Sequence, residues 1–246
     1  FLKRKVRIVC PDLPGYGKSD KPSKREDYSY QNQVDWMVKW LKENKLDDLT
    51  FFGQDWGGLI GLRVVSQEPD RFNKVAVGNT GLPYNPNVPK GVLKEREKFI
   101  KSSKKITLSD IYKNLRAMKG KPAAHQVLKF MYWQKYCWDT KDLPVGLLMS
   151  MIGGGRKNLN NIAYYSFVQL GMEKLFPFKP EIAKAFDAPF PGIEYKMGVR
   201  SMPMQVPIIP DRSLSAQKRA RDFFKSWNKP FLSVFAGNDP ITNTME

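Results

Sequence analysis

With 246 residues, 41% hydrophobic and 13% aromatic, the chain can fill the core of one large domain or two joined ones, which excludes a disordered segment. No apolar run is long enough to span a membrane, and Cys10 and Cys137 are too few for a disulfide framework and lack metal-ligand spacing, which fits a reducing, cytoplasmic setting. The formal charge of +17 raises nucleic acid as a partner, but 13 Lys and Arg against 3 Asp and Glu fall between Lys90 and Lys135, among Ser, Thr and helix formers without any nucleic-acid signature. That stretch reads as a solvated basic face, and no nucleic-acid partner is expected.

In chain order, the opening "FLKRKVRIVC" is too short in its apolar part for a signal peptide, and "KVRIVCPD" reads as a buried, β-branched strand. The turn-rich "LPGYGKSDKP" ends it. Val34, Met37, Val38 and Leu41 recur at helical spacing, with Ser29 placed to cap their helix. "LTFF" is the second strand, "LIGLRVVSQE" a helix stopped by Pro69, and "KVAVGN" a third strand. Such alternation of apolar strands with helices predicts a parallel sheet covered on both faces. The alternation lapses from about Thr80 to about Pro210, where helical and loop-like text prevails. It resumes with the helix "SLSAQKRARDFFKSW" and the strand "FLSVFAGNDP". An α/β core of residues 1–79 and 206–246, carrying a helical cap of residues 80–205, is therefore expected. Within the cap, "IGGGRKN" lacks the ending of a phosphate loop and a preceding strand, so it reads as a loop.

"GQDWGGLIGL" runs from strand to helix with no spacer. Glycines at 53, 57 and 58 allow a sharp bend and close packing of the following helix. This is the pattern of a nucleophile elbow, which lifts one side chain, here Asp55, above the sheet. An aspartate there can attack carbon and form an ester, dividing one displacement into two steps. The alternative is an ordinary acidic helix cap.

At this point the sequence resembles the α/β-hydrolase fold and, within it, the haloalkane dehalogenases. Four ordered stretches carry the resemblance: "PDLPGYGKSDKP", "GQDWGG", "AFDAPFPGIEYKMGVRSMP" and "SVFAGNDPIT". It implies that Asp55 is the nucleophile, that Trp56 donates its indole N–H to the departing halide, and that Asp239 orients a catalytic histidine. Some relatives carry that acid as a Glu at the place of Asn79, so the role falls to Asp239. The second halide-binding tryptophan is assigned to Trp133 in "FMYWQKY", with Trp138 as its rival. Phe130 and Pro203 are expected to line the pocket. The implied partners are a small halogenated aliphatic substrate, water and halide, with no metal or organic cofactor. Two indole donors suit the chemistry, because they stabilise a developing halide in a dry cavity without a proton transfer.

The resemblance also places a histidine after the acid, whereas the single histidine here, His125, lies in the cap and is expected to be non-catalytic. The first oxyanion-hole segment would precede Phe1. An internal fragment of a longer protein is therefore expected, with central strands facing a gap. Epoxide hydrolases share the elbow aspartate but use two cap tyrosines, for which Tyr132, Tyr136, Tyr164 and Tyr165 are candidates. A fluoroacetate-type enzyme would want arginines on a carboxylate, and Arg63 is near but on the helix. A non-catalytic or luciferase-like relative could keep the elbow for packing.

Overall fold

The computed structural model describes residues 6–118, 123–153 and 180–237. The chain divides into two compact units, residues 1–25 with 140–200 and residues 26–139 with 201–246. The expected cap segment, residues 80–205, is thus shared between them.

The second unit holds the sheet. Helix α1 (Tyr30–Glu43) starts at Ser29, whose hydroxyl accepts the Asn32 amide at 3.0 Å, as the sequence predicts. Its apolar stripe buries Tyr30, Val34 and Leu41. Left-handed residues Lys45 and Asp48 turn the chain into β1 (Leu49–Gln54). Helix α2 (Trp56–Gln67) follows, and every residue from Gly58 to Val65 is buried. A helix apolar on all sides must be covered on all sides. Pro69 then opens a short 3-10 turn, and β2 (Phe72–Gly78) lies parallel to β1 with Gln54 opposite Gly78.

Helices α3 (Lys90–Lys101), α4 (Leu108–Met118) and α5 (Ala123–Asp139) come next. The first unit contributes α6 (Val145–Gly153), α7 (Pro180–Asp187) and the start of α8 (Met197–Ser201). Back in the second unit, a 3-10 turn at Met202–Gln205 and α9 (Leu214–Lys225) lead to β3 (Phe231–Val234). β3 is parallel to β2, with Gly78 opposite Val234, giving the order β1-β2-β3. The Lys229 ammonium pins the start of this strand, donating to the Phe72 and Pro69 carbonyls at 2.6 and 3.1 Å. Between Gly78 and Phe231 the described residues contain no strand.

Two expectations are corrected. Residues 6–10 of "KVRIVCPD" form no strand, and Val6 and Ile8 are exposed. A strand exists through its ladder, and among the described residues none pairs with this segment. The turn that follows is well built nonetheless: Asp12 accepts the Lys18 amide at 2.8 Å, and left-handed Gly17 leaves the space its carboxylate fills. In the sheet, Phe52 is 71% exposed, and all four residues of β3 are exposed. Secondly, Lys135 does not belong to a solvated basic face. It is 1% exposed, and its ammonium donates to the Ile100 and Ser102 carbonyls at 3.0 and 2.8 Å while pairing with Asp139 at 2.7 Å. It neutralises carbonyls left over at the end of α3.

Candidate active site

The parallel register brings the ends of β1, β2 and β3 together, so Asp55, Asn79 and Phe235 follow directly on three adjacent carboxyl ends. Open α/β sheets place their ligands at this edge. Asp55 has φ +48° and ψ −126°, a backbone state that costs about 1–3 kcal/mol and persists only when its surroundings enforce it.

The enforcement is visible. Three donors converge on the Asp55 carbonyl: the Gly58 and Leu59 amides, both at 3.0 Å, and the Thr80 hydroxyl at 2.7 Å. A Cβ on Gly53 would stand 2.9 Å from the Gly57 carbonyl oxygen and the Gly58 Cα, so the strand-to-helix reversal needs glycine there. At Gly58 a Cβ would lie 2.1 Å from the Thr80 methyl, and at Gly61 it would lie 2.0 Å from the Phe51 ring. Helix α2 therefore sits against the sheet at the separation glycine allows. Gly57 is different from the expectation, since a Cβ there meets nothing within 4 Å. Close packing rests on Gly58 and Gly61.

The Asp55 side chain is exposed and makes no capping hydrogen bond to α2, and its φ departs from the extended state of an ordinary N-cap. Asp55 stands at the N-cap position of α2, but its carboxylate does not do the capping. Its carboxylate is displayed above the sheet on a backbone that cannot relax.

Trp56 opens α2 half-buried, with its ring edge-on to Tyr30 at a centroid distance of 5.3 Å and an angle of 85°. Tyr30 is a residue that the helical pattern of α1 could have supplied, since it precedes Val34 by four positions, but only the structure joins it to Trp56. Its hydroxyl donates to the Leu59 carbonyl at 2.5 Å, and the Arg63 guanidinium lies 4.8 Å from its ring centre. Burial pushes the Tyr30 hydroxyl far above the ordinary phenol range, with Arg63 opposing in part. Arg63 is itself 2% exposed, and desolvation lowers its pKa. It belongs to the support of α2, where it donates to the Gln31 side chain.

Trp133, half-buried, lies on α5 of the same unit and stacks on Tyr136 at 6.2 Å and 24°. Phe130 is on the same helix. The structure joins this helix to Pro203: the buried Gln134 amide donates to the Pro203 carbonyl at 2.9 Å and accepts from Arg96 at 3.1 Å. Trp138 is on α5 as well, half-buried. Asn79, left-handed with φ +45°, accepts the Ala236 amide at 3.3 Å and ties the end of β2 to the segment after β3. Asp239, Tyr164, Tyr165 and most of "IGGGRKN" lie outside the described residues, as does the side chain of His125. Among the described residues no helix is long and apolar enough to cross a membrane, and no cluster of ligating side chains could hold a metal.

An aspartate displayed at a strained strand-to-helix turn, at the carboxyl edge of a parallel sheet, defines a site of the α/β-hydrolase kind. The profile of the alpha/beta hydrolase fold family matches residues 1–169, and the chain belongs to that family. The chain is 33% identical to a haloalkane dehalogenase of Mycolicibacterium paratuberculosis, over 96% of this chain and 59% of that protein. A haloalkane dehalogenase of Psychrobacter cryohalolentis shows the same identity and the same coverage of both chains. The chain thus spans about three-fifths of the length of these curated relatives. Likeness to the bifunctional epoxide hydrolase 2 of Sus scrofa is 36% over 95 residues, 38% of this chain and 17% of that protein. Among solved structures, the tetrameric haloalkane dehalogenase of Paraglaciecola agarilytica superposes with a TM-score of 0.59 at 22% identity, over 91% of this chain and 56% of that one, a likeness of fold.

Proposed function

We propose that the protein carrying this chain hydrolyses haloalkanes to an alcohol and halide through an ester on Asp55. The observation that carries this reading is the elbow: a carboxylate held at φ +48° and ψ −126°, followed at once by a tryptophan. An Asp55 oxygen attacks the carbon bearing the halogen, so a C–O bond forms as the carbon–halogen bond breaks and its electron pair leaves with the halide. Trp56 and Trp133 donate their indole N–H groups to that halide. Water, deprotonated by a base, then adds to the ester carbonyl, and the acyl–oxygen bond breaks. The alcohol departs and the carboxylate returns. Asp239 is the acid that orients the base, Phe130 and Pro203 line the pocket, and residues 80–205 are the cap segment. No metal or organic cofactor enters this scheme.

Asp55→Ala tests the assignment. It should abolish both halide release from 1-bromobutane and any mass added to the protein by that substrate. Continued turnover would refute the role of Asp55. Epoxides offered to the unaltered protein separate the epoxide-hydrolase reading, for which Tyr132 and Tyr136 on α5 are the described candidates. Hydrolysis of styrene oxide without halide release from any bromoalkane would favour it.

A further inference from the structure

We infer that Tyr30, backed by Arg63, is a positioning residue that fixes the indole of Trp56 for the halide. The inference rests on the proposed function above and extends it to residues that touch neither substrate nor halide.

An N–H donor stabilises a departing anion only if it is already aimed when charge develops, because a donor that must reorient adds its reorganisation to the barrier. Trp56 stands at the first position of α2, where the helix backbone holds its Cα but leaves its ring to be set by neighbours. The ring that meets it is Tyr30, edge-on at 5.3 Å. Tyr30 is immobilised from three directions. It is 2% exposed at the start of α1, its hydroxyl is bound to the Leu59 carbonyl on the same helix that carries Trp56, and Arg63, one turn further along α2, lies against its ring. Arg63 is fixed in turn by the Gln31 side chain, which donates to Asp35 at 2.6 Å. A chain of contacts therefore runs from the exposed side of α1 through Gln31, Arg63 and Tyr30 to Trp56. Filling the core would need only an apolar ring. The hydroxyl anchored on Leu59 and the buried guanidinium add nothing to apolar burial, but they remove the freedom of that ring to shift.

The test uses Tyr30→Leu, Tyr30→Phe and Trp56→Phe in the protein that carries this chain, with bromide quenching of tryptophan fluorescence and kcat for paired chloro- and iodoalkanes as readouts. Loss of the edge-to-face contact should weaken bromide binding about 3- to 10-fold in Tyr30→Leu. The kcat loss should be larger for the chloroalkane, whose poorer leaving group leans harder on the donors. Tyr30→Phe keeps the ring but frees it from the Leu59 carbonyl, so it should weaken bromide binding about 2- to 3-fold, between the unaltered protein and Tyr30→Leu. A merely structural role would lower thermal stability in Tyr30→Leu while leaving bromide affinity and the chloro-to-iodo ratio unchanged, and that result overturns the inference. If Tyr30→Leu does not fold, Tyr30→Met, unbranched and better able to fill an irregular gap, carries the same two outcomes. Trp56→Phe separates the layers: bromide affinity unchanged in that variant overturns the halide role of Trp56 and this inference with it. Affinity lost in Trp56→Phe but intact in Tyr30→Leu overturns this inference alone.

Discussion

Replacing Gly58 by alanine should destabilise the protein, whereas the same change at its neighbour Gly57 should not. Alanine is favoured over glycine in a helix by about 0.8–1 kcal/mol, so propensity alone predicts a gain at both positions. At Gly57 nothing lies within 4 Å of the added carbon, and a gain of up to about 1 kcal/mol should be realised. At Gly58 the added carbon would stand 2.1, 2.4 and 2.6 Å from the Thr80 Cγ2, Oγ1 and Cβ. Rotating Thr80 moves its two outer atoms but not its Cβ, so α2 or the end of β2 must shift. Overpacking of this kind costs about 1–3 kcal/mol. Losing the bond from the Thr80 hydroxyl to the Asp55 carbonyl adds about 0.5–1.5 kcal/mol. Against the propensity gain, the net loss is about 1–3 kcal/mol, measurable by urea denaturation with linear extrapolation. Thr80→Gly removes the obstructing Cβ, and the double variant should recover at least about 1 kcal/mol relative to additivity. Equal stability of the Gly58 and Gly57 variants would refute the reasoning.

Two more outcomes follow from buried groups of the helical region. Lys135→Met should lower stability by about 1–3 kcal/mol in urea, because the Ile100 and Ser102 carbonyls lose their common donor; an unchanged midpoint would show that water replaces it. Burial pushes the Cys137 thiol well above its ordinary value of 9.0, so iodoacetamide at pH 8 should add one label to the folded protein, at exposed Cys10, and a second only after unfolding. The raised folded-state value also fixes a sign. The unfolded chain loses this proton first, so stability should fall as pH rises above about 9.

Where a structural signal is local and chemical, the sequence exposed it. Ser29 announced the start of α1 because a hydroxyl before an apolar stripe satisfies a helix amide, and Pro69 ended the run after α2 because it cannot continue a helix. The turn of residues 13–22 read correctly from its glycines and prolines. "KVRIVC" misled for the opposite reason. Alternation of β-branched residues reports what a segment would be if paired, and pairing depends on a partner the segment does not encode. Lys135 misled similarly, because composition cannot show that one lysine of a basic run reaches the carbonyls at the end of another helix.

The elbow was the most legible part of the site, and its glycines explain why. A reversal from strand to helix within one residue brings strand and helix so close that neighbours of Asp55 must be cut back to glycine, and that steric demand is written in the sequence. Which glycines carry it is another matter. "GQDWGGLIG" offers four, and the packing of Thr80 and Phe51 selects Gly58 and Gly61 over Gly57, a choice fixed by residues 22 positions after Gly58 and 10 before Gly61. The supports of the site are less legible still. Thr80, Tyr30 and Gln134 act by reaching a carbonyl or a ring on another element, and none of the three stands in a motif. Chemistry constrains the residue that reacts to a narrow pattern. The residues that hold it still need only arrive from somewhere in the fold with the right atom, so the elbow could be read in advance and its braces could not.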